Sequence, residues 1–206
     1  MQGVLLAAGY GRRFDPSGQT DKLLQPLEDG RSVLWHSGSN LLRSLGQCVA
    51  VIRPGVPERR KILEELGFVV IEARLGGMGE AIAVAVRATA TARGWVIGLA
   101  DMPWIPSDLI TRVAGEIESP DHVAAPWHAG RRGHPVAFGS GWRAALESLT
   151  GDVGARDLLS GAQVRLVEPA PSSVHRDVDL PCDLHAHRED GGRGDGLMAG
   201  KRPLCR

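Results

Sequence analysis

The sequence is poor in three features that often reveal a protein's surroundings: net charge, clustered cysteines and long apolar runs. Lys plus Arg and Asp plus Glu number 24 each, so no global field draws the chain to nucleic acid or to a membrane surface. The three cysteines, Cys48, Cys182 and Cys205, are widely spaced and form no CxxC pair. They argue against a disulfide framework or a zinc site and fit a reducing cytosol.

No segment is long and apolar enough to span a membrane, and the N-terminus lacks the basic and apolar regions of a signal peptide. We therefore expect a cytoplasmic protein with neither nucleic acid nor a membrane as partner. With a net charge of zero, any anion must be bound through local charge.

Apolar runs bounded by turn residues alternate with helical segments along most of the chain. The predicted strands are residues 2–7, 48–53, 68–72, 95–99, 122–126, 134–138 and a shorter one at 163–167. The predicted helices are residues 32–45, 57–66, 78–93, 107–117, 140–149 and 154–160. Continuously apolar strands between helices predict a three-layer α/β sandwich with a mainly parallel sheet. We expect one domain over residues 1–187 and a disordered tail over 188–206, which has nothing to bury.

A loop of small residues follows the first predicted strand, within the segment 3–14, and Lys22 comes soon after it. Gly9 and Gly11 let the main chain approach an anion closely, while two arginines and Lys22 supply positive charge. Phe14 stands where a dinucleotide fingerprint needs glycine, and no Gly-Lys-Ser/Thr follows as in a Walker loop. The segment is thus interpreted as a polyphosphate loop of another kind. An ordinary strand-to-helix turn with solvated arginines is the alternative.

Two acidic segments are candidates for a metal site. Asp101 comes two residues after the end of the predicted strand 95–99. Ligands of such sheets bind beyond the carboxyl ends of the strands, so Asp101 would face the polyphosphate loop. Asp177 and Asp179 point the same way if their segment is extended. Magnesium prefers one or two carboxylates plus phosphate oxygens, which makes a metal–triphosphate site plausible. The alternative is that Asp101 and Asp179 cap the helices that follow them.

Six short motifs, in order from residue 3 to about 185, resemble the molybdenum cofactor cytidylyltransferase family of MobA-like nucleotidyltransferases. They are Leu6-Ala7-Ala8-Gly9-x-Gly11-x-Arg13-Phe14 with Lys22 downstream, Gly77-Met78-Gly79, Leu99-Ala100-Asp101-Met102-Pro103, Arg132-Gly133-His134-Pro135-Val136-x-Phe138, Gly151-Asp152-x-Gly154-Ala155-Arg156 and Asp177-Val178-Asp179-x-Pro181-x-Asp183-Leu184. The resemblance implies a Rossmann-like nucleotidyltransferase. It would move CMP from CTP to the terminal phosphate of the molybdenum cofactor and release pyrophosphate.

The resemblance also implies roles for individual residues. Lys22, Arg13 and Asp101 would be catalytic: Arg13 would help the loop to hold the β- and γ-phosphates, and Lys22 would reach the α-phosphate. Asp101 and Asp179 would hold Mg²⁺ between the α-phosphate and the incoming phosphate. The nucleotide-binding residues would be Leu6, Ala7, Ala8, Gly9, Gly11, Lys22, Gly77, Met78 and Gly79.

The acceptor would be contacted by His134 and Arg156, again by resemblance. A lone histidine is more often structural, and Arg156 would also suit a surface ion pair. Ala8 favours CTP over GTP, because the guanylyl branch of the family tends to carry a second glycine there. Ala81 departs from the family, which usually has serine at this position, so one hydrogen bond to the nucleotide would be missing.

Other functions remain open from the residues alone. A guanylyltransferase or a sugar-phosphate nucleotidyltransferase would have the same fold. A non-catalytic nucleotide-binding protein that loads cofactor onto a molybdoenzyme, which would then be its partner, belongs to a different class. An oxidoreductase on this scaffold is disfavoured, since the third glycine and an acidic ribose ligand after the second strand are both missing.

Overall fold

The structure, a computed structural model, describes residues 1–74, 76–152 and 154–185, and the predicted tail over 188–206 lies outside the described residues. The strands are β1 Gln2–Leu6, β2 Cys48–Ile52, β3 Val69–Glu72, β4 Gly94–Leu99, β5 Val123–His128, β6 Arg131–Arg132, β7 Val136–Gly139 and β8 Val164–Val167. The α-helices are α1 Val33–Leu45, α2 Pro57–Leu66, α3 Met78–Ala88, α4 Ser107–Gly115, α5 Arg143–Glu147 and α6 Arg156–Gly161. Single 3-10 turns span Lys22–Leu24, Ser140–Trp142, Ser172–His175 and Pro181–His185.

The strands form one mainly parallel sheet, as predicted, in the order β3-β2-β1-β4-β7-β5-β6, with β8 beside β5. Strands β3, β2, β1 and β4 are parallel to one another. Strand β7 lies between β4 and β5 and is antiparallel to both. The chain moves outward from β1 to β3 and then returns to β4 on the other side of β1. Strand order therefore reverses between β1 and β4, and a ligand is expected beyond the carboxyl ends of these two strands.

Helices cover both faces of the sheet and complete the predicted three layers. Alternate residues of β1 serve opposite faces: Leu5 packs in one apolar cluster with α1, α2 and α4, and Val4 packs in the other with α3 and α5. Both residues are almost fully buried. The two faces thus hold β1 rigidly, and its carboxyl end is a fixed point from which the following loop starts.

Three predicted helix boundaries are wrong. Helix α3 ends at Ala88 rather than at residue 93, because the Thr89 hydroxyl turns back to the carbonyl oxygen of Ala85 at 2.7 Å and also accepts a hydrogen bond from the buried Trp95. The segment 140–149 is a 3-10 turn followed by the short α5. Helix α6 starts at Arg156, two residues later than predicted, after glycines at 151 and 154 with positive φ.

Within the described residues, no helix combines the length and the apolar character needed to cross a bilayer. Cys48 is a free thiol at the start of β2, and burial raises its pKa to about 12. Cys182 is disulfide-bonded, a feature that the spacing of the cysteines did not predict.

Candidate active site

Lys22 is the centre of the candidate site and is 8% exposed. Its Nζ donates a hydrogen bond to Oδ2 of Asp101 at 2.7 Å and to the carbonyl oxygen of Val178 at 2.9 Å. The same nitrogen lies 3.6 Å from Oδ1 of Asp179. The fold thus brings together a lysine and two acids that are far apart in the sequence, at the switch point of the sheet.

The late acidic segment is attached to the end of β4 by its main chain. The N–H of Val178 donates to the carbonyl oxygen of Asp101 at 2.9 Å, and the Val178 side chain is fully buried. Asp177 and Asp179, on either side of it, therefore project away from the core on the same side, as expected for extended chain. Helix α4 is preceded by Pro106, so Asp101 does not cap it, and the carboxylate of Asp179 contacts Arg13 and Lys22.

Asp101, Asp177 and Asp179 each offer a carboxylate oxygen within 4.8 Å of the other two. Burial, followed by the negative charges of Asp179 and Asp101, raises the pKa of Asp177. Carboxylate oxygens at this spacing suit a hard divalent cation, which would relieve the repulsion among them. Asp177 was considered in the sequence but was not among the predicted ligands, because an extended conformation at this segment was only an assumption.

The loop after β1 surrounds a cavity of about 550 Å³ together with Lys22, Asp101 and Asp179. Gly11 has φ +65°, and a Cβ there would lie 3.3 Å from Cγ of Lys22, so glycine is favoured by both conformation and space. In the described part of the chain, no main-chain N–H from Ala8 through Arg13 donates a hydrogen bond. These groups are available to an anion that enters the cavity.

Arginines surround the mouth of this cavity. Arg13 donates to Oδ2 of Asp179 at 2.8 Å, although its side chain is 80% exposed. Arg12 and Arg53 contact the exposed ring of Tyr10, with guanidinium-to-centroid distances of 5.2 and 4.7 Å. The entrance is therefore positively charged, as a site for a polyphosphate requires.

Seven of the nine predicted nucleotide-binding residues line this cavity: Leu6, Ala8, Gly9, Gly11, Lys22, Gly77 and Met78. Ala7 and Gly79 do not line it. A Cβ on Gly79 would lie 2.7 Å from the carbonyl oxygen of Thr150, and one on Gly77 would lie 2.3 Å from that of Gly151. The second glycine motif thus permits the loop at 150–152 to pack against the start of α3, whatever else it binds.

A second cavity, of about 850 Å³, adjoins the first and shares Leu6, Met78, Leu99 and Asp152 with it. Both predicted acceptor residues, His134 and Arg156, line it. Nδ1 of His134 is buried without a hydrogen-bond partner, and burial lowers the pKa of His134. A neutral imidazole is therefore favoured near pH 7 at the wall of this cavity.

The rest of the second cavity combines an apolar floor with a basic rim. Ile82, Ile97 and Phe138 supply apolar surface, whereas Arg156 makes no ion pair with any residue that the structure describes. Trp127, Arg131 and Arg132 complete the rim. The cavity suits a ligand with an apolar body and an anionic end.

Sequence reasoning missed two residues of the site. Asp152 belongs to a motif of the family resemblance but was given no binding role of its own, and it lines both cavities. Arg59 was not predicted, and it donates hydrogen bonds to the carbonyl oxygens of Ala7 and Gly9 without lining the cavity. A signal was present: Arg59 lies on the same face of α2 as Leu63, at the spacing of a residue that is buried.

An anion loop and a carboxylate cluster at the switch point of a mainly parallel sheet define an α/β protein of the nucleotide-binding class. The model of the MobA-like NTP transferase domain matches residues 3–168, so the chain belongs to that family and is a nucleotidyltransferase. The family typically uses a divalent metal ion, and the cluster of Asp101, Asp177 and Asp179 fits such an ion.

Several solved structures share the fold of this chain. The homologue of Mycobacterium tuberculosis Rv0371c from Mycobacterium sp. strain JC1 is 28% identical, with 89% of this chain and 92% of that chain covered and a TM-score of 0.75. Rv0371c of M. tuberculosis H37Rv in complex with manganese is 24% identical over 89% of this chain and 95% of that chain, with a TM-score of 0.71. The inositol-1-phosphate CTP transferase of T. maritima is 15% identical over 90% and 91%, with a TM-score of 0.65. No curated protein matches the chain significantly.

Proposed function

We propose that the protein transfers CMP from CTP to the terminal phosphate of the molybdenum cofactor and releases pyrophosphate. The observation that carries the proposal is the position of Lys22, Asp101 and Asp179, which line a cavity for a nucleotide that adjoins a second cavity with a basic rim. Two anionic substrates in neighbouring cavities would meet beside these residues. Such a site suits group transfer between phosphates better than binding of a single nucleotide.

The nucleotide side would bind the triphosphate through the loop from Ala8 to Arg13. Unpaired N–H groups and Arg13 would hold the β- and γ-phosphates, and Lys22 would exchange its contact with Asp101 for the α-phosphate. Asp101 and Asp179, with Asp177, would hold Mg²⁺. When bound, this ion would supply positive charge that neutralises the phosphate oxygens.

In the reaction, an oxygen of the acceptor's phosphate forms a bond to the α-phosphorus, and the bond from that phosphorus to the bridging oxygen of pyrophosphate breaks. No general base is needed, because the acceptor phosphate is already ionised near neutral pH. Lys22 would orient the α-phosphate and stabilise its developing charge. The protein contributes mainly alignment and electrostatic stabilisation, as in other phosphoryl-type transfers.

The acceptor side fits a molecule with a flat, partly apolar body and an anionic end. His134 would receive or donate a hydrogen bond as a neutral imidazole, and Arg156 would bind the phosphate. Trp127 supplies an aromatic surface in the same cavity for a heterocycle to stack on. These features support a pterin-like acceptor that carries a phosphate.

Two observations support CTP as the donor. Ala8 lines the nucleotide cavity, and its methyl group would narrow the space for a base, an effect of about 1–3 kcal/mol. The same fold also carries a protein described as a CTP transferase, that of T. maritima. The guanylyl and sugar-phosphate alternatives differ from this proposal only in the base or in the acceptor. A molybdoenzyme would be the recipient of the product, and the cytoplasmic location remains an expectation.

The decisive experiment is a pyrophosphate-release assay with CTP, GTP, ATP and UTP, each with and without molybdenum cofactor. The proposal expects release that depends on both CTP and the cofactor and on added Mg²⁺. Release with GTP in place of CTP would favour the guanylyl alternative. Release with a sugar phosphate but not with the cofactor would overturn the proposed acceptor, and tight nucleotide binding without any release would favour a loading protein.

A further inference from the structure

Arg59 of α2 is 1% exposed, which is rare for an arginine unless the charge is paired. It lines neither of the two cavities. Among the described residues, its guanidinium donates two hydrogen bonds to Asp21, one to Ala7 at the start of the polyphosphate loop and one to Gly9 within it. A buried cation with this set of partners calls for an explanation beyond core packing.

We propose that Arg59 is a positioning residue of the nucleotide site, which orients the loop so that its N–H groups face the phosphates. The inference rests on the proposed function, because it assumes that a nucleoside triphosphate occupies the cavity beside this loop. Arg59 itself would touch neither substrate. It would act through Ala7, Gly9 and Asp21, and it would therefore set the affinity for the phosphate chain rather than for the nucleoside.

The geometry of the peptide bond determines where the N–H groups of the loop point when Arg59 binds the neighbouring carbonyl oxygens. In a trans peptide the carbonyl oxygen of one residue and the N–H of the next point in opposite directions. Arg59 binds the carbonyl oxygens of Ala7 at 2.6 Å and of Gly9 at 3.0 Å. The N–H groups of Ala8 and Tyr10 are therefore directed away from the guanidinium, towards the cavity that both residues line.

These two N–H groups have no other acceptor in the described part of the chain. Without the guanidinium, the Ala7–Ala8 and Gly9–Tyr10 peptides would lose the contacts that the described residues make to their carbonyl oxygens. They would then be free to rotate and to expose carbonyl oxygens to the phosphates. Arg59 thus prevents an arrangement that would repel the ligand.

Arg59 also contacts the 3-10 turn that carries Lys22, through Asp21. Asp21 accepts two hydrogen bonds from Arg59, at 2.6 and 2.8 Å, and Oδ1 also accepts from the N–H of Leu23 at 3.0 Å. Asp21 is therefore the cap of the 3-10 turn in which Lys22 is the first residue. One planar guanidinium joins the polyphosphate loop to the turn that carries Lys22, so the N–H groups and Nζ keep a fixed spacing. A lysine at position 59 would not reproduce this fork of donors.

Three variants test the proposal: Arg59→Met, Arg59→Lys and Asp21→Asn. Removing the buried charge in Arg59→Met leaves Asp21 unpaired, which is strongly destabilising and would unfold a marginal protein. Asp21→Asn keeps the size of the side chain and an acceptor for Leu23 but removes the ion pair. Arg59→Lys keeps the charge and loses the fork. Arg60→Met is the matched control, because Arg60 is the next residue of α2 and pairs with Glu64 and Glu72 at the surface.

The measurement is the Kd of the full-length protein for CTP with Mg²⁺ and for CMP, by calorimetry, with thermal unfolding as a check on folding. We expect Kd for CTP to rise about tenfold or more in the Arg59 and Asp21 variants. Kd for CMP, which lacks the β- and γ-phosphates, should change less than about threefold. Arg60→Met should bind both nucleotides as the wild type does.

If the folded variants bind CTP and CMP as tightly as the wild type, the positioning role is overturned. An equal loss of affinity for CTP and CMP also overturns it, since this result indicates general destabilisation. If Arg59→Met does not fold, the other two variants decide. A wild-type protein that binds CMP and CTP equally contradicts a phosphate loop, and one that binds neither overturns the proposed function and this role with it.

Discussion

The two adjoining cavities differ in whether their basic side chains are already paired with other residues of the protein. On the nucleotide side, the two cations beside the acids are already paired with them: Lys22 contacts Asp101 and Asp179, and Arg13 contacts Asp179. On the acceptor side, Arg156 has no ion pair among the described residues, and Nδ1 of His134 has no hydrogen-bond partner.

The difference has a consequence for how each ligand binds. When a nucleotide binds, its phosphates must replace Asp101 and Asp179 as the partners of Lys22 and Arg13. The two carboxylates then need another positive charge. A ligand with a bound divalent ion meets both needs in one step. The acceptor cavity needs no such exchange, because Arg156 makes no ion pair with the described residues. Binding on the nucleotide side should thus depend on metal far more than binding on the acceptor side.

The largest effect is expected for Asp101→Asn, which removes a partner of Lys22 and a candidate metal ligand at once. Turnover should fall by about 10²–10³-fold, because the phosphates lose both the ion and an oriented lysine. Pyrophosphate release with the best nucleotide measures the loss. His185→Ala is the control, since His185 is exposed at the end of the described chain, and its turnover should match the wild type. Near-normal turnover in Asp101→Asn would remove this residue from the active site.

Lys22→Met tests whether Nζ of Lys22 neutralises the carboxylates of Asp101 and Asp179 when no metal ion is bound. Without Nζ, the carboxylates of Asp101 and Asp179 repel each other, so the cluster should bind Mn²⁺ more tightly in the absence of nucleotide, by about tenfold. Turnover should fall at the same time, because the α-phosphate loses its contact. Titration of Mn²⁺ by electron paramagnetic resonance gives the affinity directly.

The control for this titration is Lys61→Met, which removes a lysine from the surface of α2. It should leave the Mn²⁺ affinity unchanged. A Lys22→Met protein that binds Mn²⁺ no better than the wild type would show that the lysine does not compete with the metal. The contrast between the two cavities would then rest on the acceptor side alone.

The sequence predicted correctly that two segments of the candidate site lie together, because each follows a strand of the parallel sheet. Asp101 and the small-residue loop could be predicted to lie together, since parallel strands place their carboxyl ends at one edge. The direction of β7 could not be predicted, because a short apolar run has the same pattern in parallel and antiparallel strands. The early end of α3 depends on Thr89 and its contact with Trp95, a tertiary interaction that periodicity does not contain.

Arg59 illustrates a different limit. Two of its contacts are to main-chain carbonyl oxygens, which every residue has, so no motif identifies the partners. Only its place on the buried face of α2 was visible in the sequence. Asp177 is similar, because its proximity to Asp101 depends on the hydrogen bond from Val178 that attaches the segment to β4. Supporting residues are thus harder to predict than those that touch the ligand.

Arg156→Gln should act on the acceptor side alone. The KM for the acceptor is expected to rise about tenfold through loss of a charge-assisted hydrogen bond, while Kd for CTP with Mg²⁺ stays within about twofold. Steady-state kinetics with the acceptor varied, and calorimetry with CTP, separate the two effects. Arg143→Gln is the control, because Arg143 forms a surface ion pair with Glu147 in α5 and lines neither cavity. Equal losses for both ligands would mean that the cavities do not bind separate substrates.

The smallest effect is expected from His134, through stability rather than turnover. Burial lowers its pKa below the ordinary value of 6.5. As the pH falls, the histidine is therefore protonated in the unfolded chain before it is protonated in the folded protein. The free energy of unfolding should therefore be highest above about pH 6.5 and decrease as the pH falls, by at most about 1.4 kcal/mol per pH unit. His134→Gln should reduce this slope when urea unfolding is followed from pH 7.5 to 5.5.

The difference between the two curves isolates His134, since Asp177, whose pKa is raised, contributes to both. His175→Gln should reduce the slope in the same direction, because burial lowers the pKa of His175 as well. An unchanged slope in His134→Gln would mean that the imidazole is already paired or hydrated, and the acceptor side would then be no more prepared for its ligand than the nucleotide side.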